Sequence, residues 1–111
     1  AFFTAEAGAG VTLSDTEKTA INTLVVNLKA ANIWTKMKAL YPFIGSTATS
    51  QKFNLINPAD TNAAFRLSFQ GGWTHSSTGA LPNGTNAYAE TYIIPSTNLS
   101  QEQIALLEGM I

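Results

Sequence analysis

Ala64-Phe65-Arg66-Leu67-Ser68-Phe69-Gln70, closed by Gly71-Gly72, is the stretch that decides the fold class. Phe65, Leu67 and Phe69 fall on one side of an extended chain. Arg66, Ser68 and Gln70 fall on the other. That strict period of two predicts a half-buried strand over residues 64–70. Upstream, Phe53 and Leu55 share a face in Lys52-Phe53-Asn54-Leu55-Ile56-Asn57, which predicts a second strand over 51–57, ended by the turn Asn57-Pro58-Ala59-Asp60. Downstream, Tyr88, Tyr92 and Ile94 line up in a third strand over 87–94, broken by Pro95. Gly, Ser, Thr, Asn and Pro make up most of residues 73–86, and Pro82-Asn83-Gly84 there is a strong turn signal.

Helical signals flank this region. Ser14-Asp15-Thr16-Glu17 has the capping-box pattern, in which the Ser hydroxyl and the Glu carboxylate each satisfy an amide of the first turn. Ile21, Leu24, Val25 and Leu28 follow at helical spacing and predict a helix over 15–31 with one apolar stripe. Asn32 is a natural stop, because Asn tolerates the left-handed C-cap conformation. Trp34, Met37 and Tyr41 suggest a short helix over 33–40, closed by Pro42. Ser100 and Gln103 repeat the capping chemistry at the start of a C-terminal helix over 100–111, with Ile104, Leu107 and Met110 or Ile111 on its apolar side.

The expected architecture is therefore α+β, with helices at both ends, a small antiparallel sheet of about three strands between them and the first helix as its lid. Residues 1–12 read as an extended arm and 13–111 as a single α+β domain. Phe2 and Phe3 on the Gly-rich arm, and Leu107, Met110 and Ile111 at the other end, are the candidate assembly contacts, since exposed apolar groups commonly mark interfaces.

Composition narrows the function classes. Charged residues make up 12% of the 111 positions, about half the usual share of roughly 25%. The six Lys and Arg are spread thinly, and the nearest pair, Lys36 and Lys38, is no basic cluster. Nucleic-acid binding draws on clustered cations and is not expected. The first residues lack the basic and long apolar regions of a signal peptide. No apolar run reaches the length of about 18 residues that spans a bilayer, so no membrane partner is expected.

The residues of ordinary active-site chemistry are missing. There is no Cys and a single His, His75, in a polar stretch. A hydroxyl nucleophile needs a base beside it, and neither Asp15 nor Asp60 stands in a motif with His75. Metal sites need several ligands at set spacing, so no metal and no cofactor is expected. Two neighbouring carboxylates could hydrolyse a glycoside, but residues 51–97 hold only Asp60 and Glu90. The chain is accordingly expected not to be an enzyme. What could bind is the segment 71–88, where Trp73, His75, Asn83, Asn86 and Tyr88 supply flat rings and amides suited to a sugar or another polar surface.

Three segments also carry a family likeness. Ile33-Trp34-Thr35-Lys36-Met37-Lys38-Ala39-Leu40-Tyr41-Pro42-Phe43-Ile44-Gly45 resembles a segment of structural proteins of tailed bacteriophages. So does the run from Lys52-Phe53-Asn54-Leu55 to Asn57-Pro58-Ala59-Asp60. So do Ala64-Phe65-Arg66-Leu67, Gly71-Gly72-Trp73-Thr74-His75-Ser76 and Pro82-Asn83-Gly84-Thr85-Asn86. The likeness covers roughly residues 15–97. It implies a virion location and a role as a fibre, capsid-decoration or tail part. The partners it implies are other virion proteins and copies of the same chain, with a host-surface glycan as a further class. In that family such segments open a longer region similar to a concanavalin-type jelly roll of about eight strands. With about three strands, this chain would be either a smaller α+β unit or part of a β-sandwich completed by other chains.

Overall fold

The structure is a computed structural model that describes residues 1–98. The chain is α+β: the described residues form four α-helices and two antiparallel sheets of two strands each. Helix α1 runs Phe2–Gly8, α2 Asp15–Ala30, α3 Ala48–Gln51 and α4 Pro95–Asn98. Strand β1 (Ser68–Gln70) pairs with β4 (Tyr88–Glu90), Phe69 facing Ala89. Strand β2 (Trp73–Ser76) pairs with β3 (Gly79–Pro82), His75 facing Ala80. The predicted C-terminal helix over 100–111, with Leu107, Met110 and Ile111, lies outside the described residues.

Helix α2 begins as its sequence dictates. Ser14 Oγ accepts from the Glu17 amide and Glu17 Oε1 accepts from the Ser14 amide, at 3.1 and 2.9 Å. The helix ends before Asn32, which takes the left-handed conformation at φ 58°. Its stripe turns Ile21 fully inward, with Leu24 and Val25 packed alongside. Phe2, Leu13, Ile21, Phe53 and Leu55 form the buried cluster, and Trp34, Leu40 and Ile44 close around it.

Residues 1–12 are not an extended arm. Phe2–Gly8 is helical, and Phe2 is buried in the core with Phe3 packed against it. The Ala-rich composition supports helix, and the two rings supply apolar area that the core takes up. Phe2 is therefore a core residue rather than an exposed assembly contact. The helix predicted over 33–40 shrinks to one 3-10 turn, Trp34–Lys36, after which Met37 is extended.

The strand predicted over 51–57 does not form. Thr47 caps the short helix α3, and Lys52 follows it in the helical region. Phe53, Asn54 and Leu55 are then all buried, which no alternating strand allows. Asn54, 0% exposed, is the reason. Its Oδ1 accepts from the Leu40 and Ile56 amides at 2.9 and 3.0 Å. Its Nδ2 donates to the Lys38 and Ala64 carbonyls at 3.1 and 3.0 Å. All four hydrogen-bonding positions of the amide are used, so it pins three irregular segments together without a ladder.

The strand predicted over 64–70 keeps only its last three residues. Thr61 caps a 3-10 turn at Asn62–Ala64, and Phe65 leaves it in the left-handed conformation. The strand predicted over 87–94 stops at Glu90, and Tyr92 has φ 62°. Tyr88, Tyr92 and Ile94, expected on one face of that strand, are exposed. The three expected strands are thus replaced by two separate hairpin-like pairs, and α2 covers the Phe53–Leu55 loop rather than a sheet.

Candidate functional site

The alternation of β2 puts Trp73 and His75 on its half-buried side and Thr74 and Ser76 on its exposed side. Phe69 of β1 stands against both. Its ring centroid is 5.1 Å from that of Trp73 and 4.7 Å from that of His75, each edge to face. Trp73 and His75 are stacked at 6.2 Å with 25° between their planes, and Phe43 approaches Phe69 at 6.4 Å. Edge-to-face and offset geometries of this kind are the favourable ones for aromatic groups. Four rings from three segments therefore form one continuous cluster.

Polar bonds fix it. Trp73 Nε1 donates to the carbonyls of Gln70 and Tyr88, at 2.8 and 3.1 Å, and so ties β2 to both strands of the other sheet. Gln51, 1% exposed, orients the imidazole. Its Nε2 lies 3.2, 3.0 and 3.3 Å from the carbonyls of Gly45, Ser76 and Gly79. These acceptors fix which end of the amide is oxygen. Oε1 then lies 2.7 Å from His75 Nδ1 and can only accept. The imidazole consequently carries its proton on Nδ1, which leaves Nε2 as its acceptor in the neutral ring.

Asn83 and Asn86 build the loop that frames this cluster. Asn83 Oδ1 accepts from the Thr85 and Asn86 amides, and its Nδ2 donates to Asn86 Oδ1. Asn86 Oδ1 also accepts from the Gly72 amide. Gly71, at φ 78°, passes so close to the Asn86 carbonyl that any Cβ there would collide with it. The sequence groups these amides with the rings as ligand contacts. The structure gives most of their bonding capacity to the loop itself. Tyr88 is 58% exposed beside the Trp73 anchor point.

Asp60 and Glu90 have separate partners. Asp60 accepts from Lys52 Nζ and Arg66 Nη1, both at 2.9 Å. The Lys52 hydrogen bond, with help from Arg66, holds its carboxyl below the usual range. That is the reverse of what a general acid needs. Glu90 accepts from the Tyr92 amide at 3.3 Å. His75 is oriented by the Gln51 amide rather than by a carboxylate. Among the described residues no group of three or more His, Asp or Glu could hold a metal ion. Among them, too, no helix is long and apolar enough to cross a membrane. A shallow depression of about 270 Å³ beside the cluster is lined by Thr49, Lys52, Arg66, Ser68 and Phe69, among others.

Gln51, Phe69 and Phe43 are the members of this cluster that sequence reasoning does not single out as site residues. The alternation marks Phe69 only as core. Gln51 carries no local signal, because its role depends on the distant hairpin end that it meets. Compared with known proteins, the chain matches no family model, no curated protein and no solved structure.

Proposed function

We propose that this chain is a non-catalytic structural component of a phage particle, a fibre, capsid-decoration or tail part, that acts through assembly contacts with other virion proteins and with copies of itself. The phage-like segments of the sequence suggest the setting. One structural observation supports the mode of action: among the described residues each strand has a single strand partner, which leaves an outer edge, and no residue from 68 to 98 is buried. Two-stranded sheets are marginal on their own, and open edges invite strands from neighbouring chains. Leu81, Tyr88 and Ile94 add exposed apolar side chains to the same region.

The test is incorporation into particles. Leu81→Lys places a charge on the β3 edge without touching the core. Mass spectrometry of purified virions should show this variant depleted, while Asn22→Lys on the exposed face of α2 is retained at the wild-type level. Equal incorporation of both variants would contradict the reading.

A second reading, recognition of a host-surface glycan, is favoured by the ring cluster with Tyr88 at its margin. Planar side chains offer stacking faces to sugar rings, and the Trp73 anchor holds them still. Tyr88→Ala should then weaken adsorption of particles to cells with the fold unchanged. Unaltered adsorption would count against it.

A further inference from the structure

Glu6 is the most anomalous residue of the described chain. It is 1% exposed, and neither carboxyl oxygen has a hydrogen-bond partner among the described residues. Buried carboxyls are normally paired, because an ionised one pays a large desolvation penalty that only partners can offset. Two charged groups act on Glu6 from the elements packed around it. Glu17 of α2 opposes its ionisation, and Lys52, just after α3, favours it. Neither is placed to rescue it. Lys52 Nζ is bound to Asp60 at 2.9 Å. Glu17 is held as an anion by the Ser14 amide on Oε1 and the Gly45 amide on Oε2. Burial, and then the Glu17 charge, push the Glu6 carboxyl up to about 7.

The helix that carries Glu6 is built to let go. Helix α1 has seven residues and no side-chain cap, far below the length at which a helix persists alone. It holds its place through Phe2 and the partly buried Phe3 and Ala5. Its link to α2 contains Gly10 in the left-handed conformation, and α1 itself ends at Gly8, where a side chain would meet nothing. These are hinge-like positions that can absorb a change of direction.

We propose that α1 is a detachable latch: it sits on the core while Glu6 is protonated, and it leaves, carrying Phe2 and Phe3 into solvent, when Glu6 ionises. Detachment hydrates the carboxylate and separates it from Glu17. It opens one side of the cluster formed by Leu13, Ile21, Phe53 and Leu55. The latch is tightest in acidic surroundings, loosens as pH rises toward 7 and changes little beyond it.

Hydrogen exchange of the amides of residues 5–11, corrected for the intrinsic pH dependence, tests this on the full chain. Between pH 6 and pH 8 wild-type protection should fall about tenfold, as linkage requires for a group titrating near 7 only in the closed state. Glu6→Gln should show no such fall. An equal fall in that variant would assign the effect to another group and overturn the proposal. Flat wild-type protection would also overturn it. Should Glu6→Gln fail to fold, the carboxyl carbon shift of Glu6 in the wild type replaces it. A midpoint near 7 that moves in step with protection supports the latch. A midpoint in the ordinary carboxylate range, or protection that ignores the titration, refutes it.

Discussion

Residues 2–55 and residues 68–98 are held in place by different means. The first region shares one apolar cluster to which α1, α2 and the Phe53–Leu55 loop all contribute. The second buries no residue at all. Its strands are kept in position by tethers: the Leu67 amide to the Lys52 carbonyl at 2.9 Å, Gln51 to the Ser76 and Gly79 carbonyls, and Tyr41 Oη to the Phe65 carbonyl at 2.6 Å. Burial pushes the Tyr41 hydroxyl up to about 12, so that tether keeps its proton at any ordinary pH. A region with a core specifies itself, whereas a region held by tethers can accept further strands. On the proposed reading, the helical half is self-sufficient and the β half is where assembly contacts form.

Substitution in the helical half should produce the largest effect. Asn54→Leu would strand two amides and two carbonyls in the interior. A loss of about 3–5 kcal/mol follows, enough to unfold much of a small domain, and denaturant melts would measure it. Survival of Asn54→Leu with a wild-type midpoint would show that the loop is held by packing alone.

The next effect is one of pH. Glu6 has a raised folded value, so the native state binds its proton more tightly than the unfolded chain does. Stability is then unaffected below the unfolded value near 4.5 and declines as pH rises toward 7. The decline is capped at about 3 kcal/mol, or at the smaller cost of releasing α1. Asp60 and Glu17 have lowered values, so what they contribute is lost as pH falls through the acid range. Melting temperature should accordingly peak near pH 5. A plateau from pH 5 to 8 would remove the Glu6 contribution.

Smaller again is Trp73→Phe, which keeps a ring but removes the indole N–H from two carbonyls. A cost of about 1–2 kcal/mol is expected. Its signature is local: hydrogen exchange should quicken over residues 68–90 and stay unchanged in α2. Uniform loosening of both halves would dissolve the distinction between them. Asp60→Asn should cost least, about 0.5–1 kcal/mol, because its two ion pairs are largely solvated.

Local chemistry was legible in the sequence. The Ser14–Glu17 capping box, the stop at Asn32 and the Ile21 stripe depend on neighbours a few residues away, and all three appear as read. The α+β class followed as well. What could not be read depends on distant partners. The period-two pattern around Phe53 is genuine, yet Asn54 is buried between two apolar neighbours because Leu40, Lys38 and Ala64 converge on it. Nothing near residue 54 announces that. With no strand over 51–57, β4 pairs with β1 alone, and Tyr88, Tyr92 and Ile94 stay exposed. Trp73, His75 and Tyr88 were chosen for their chemistry and do lie in neighbouring strands. Asn83 and Asn86 look identical in sequence whether they bind a ligand or fold a loop.

Completion of the β half by other chains, as proposed, would be seen in sedimentation equilibrium of the full chain over a range of concentrations. The mass should be a multiple of 11.8 kDa and fall toward the single chain in Leu81→Lys. A wild-type mass of one chain at every concentration, with the β-strand amides already fully protected from exchange, would contradict it.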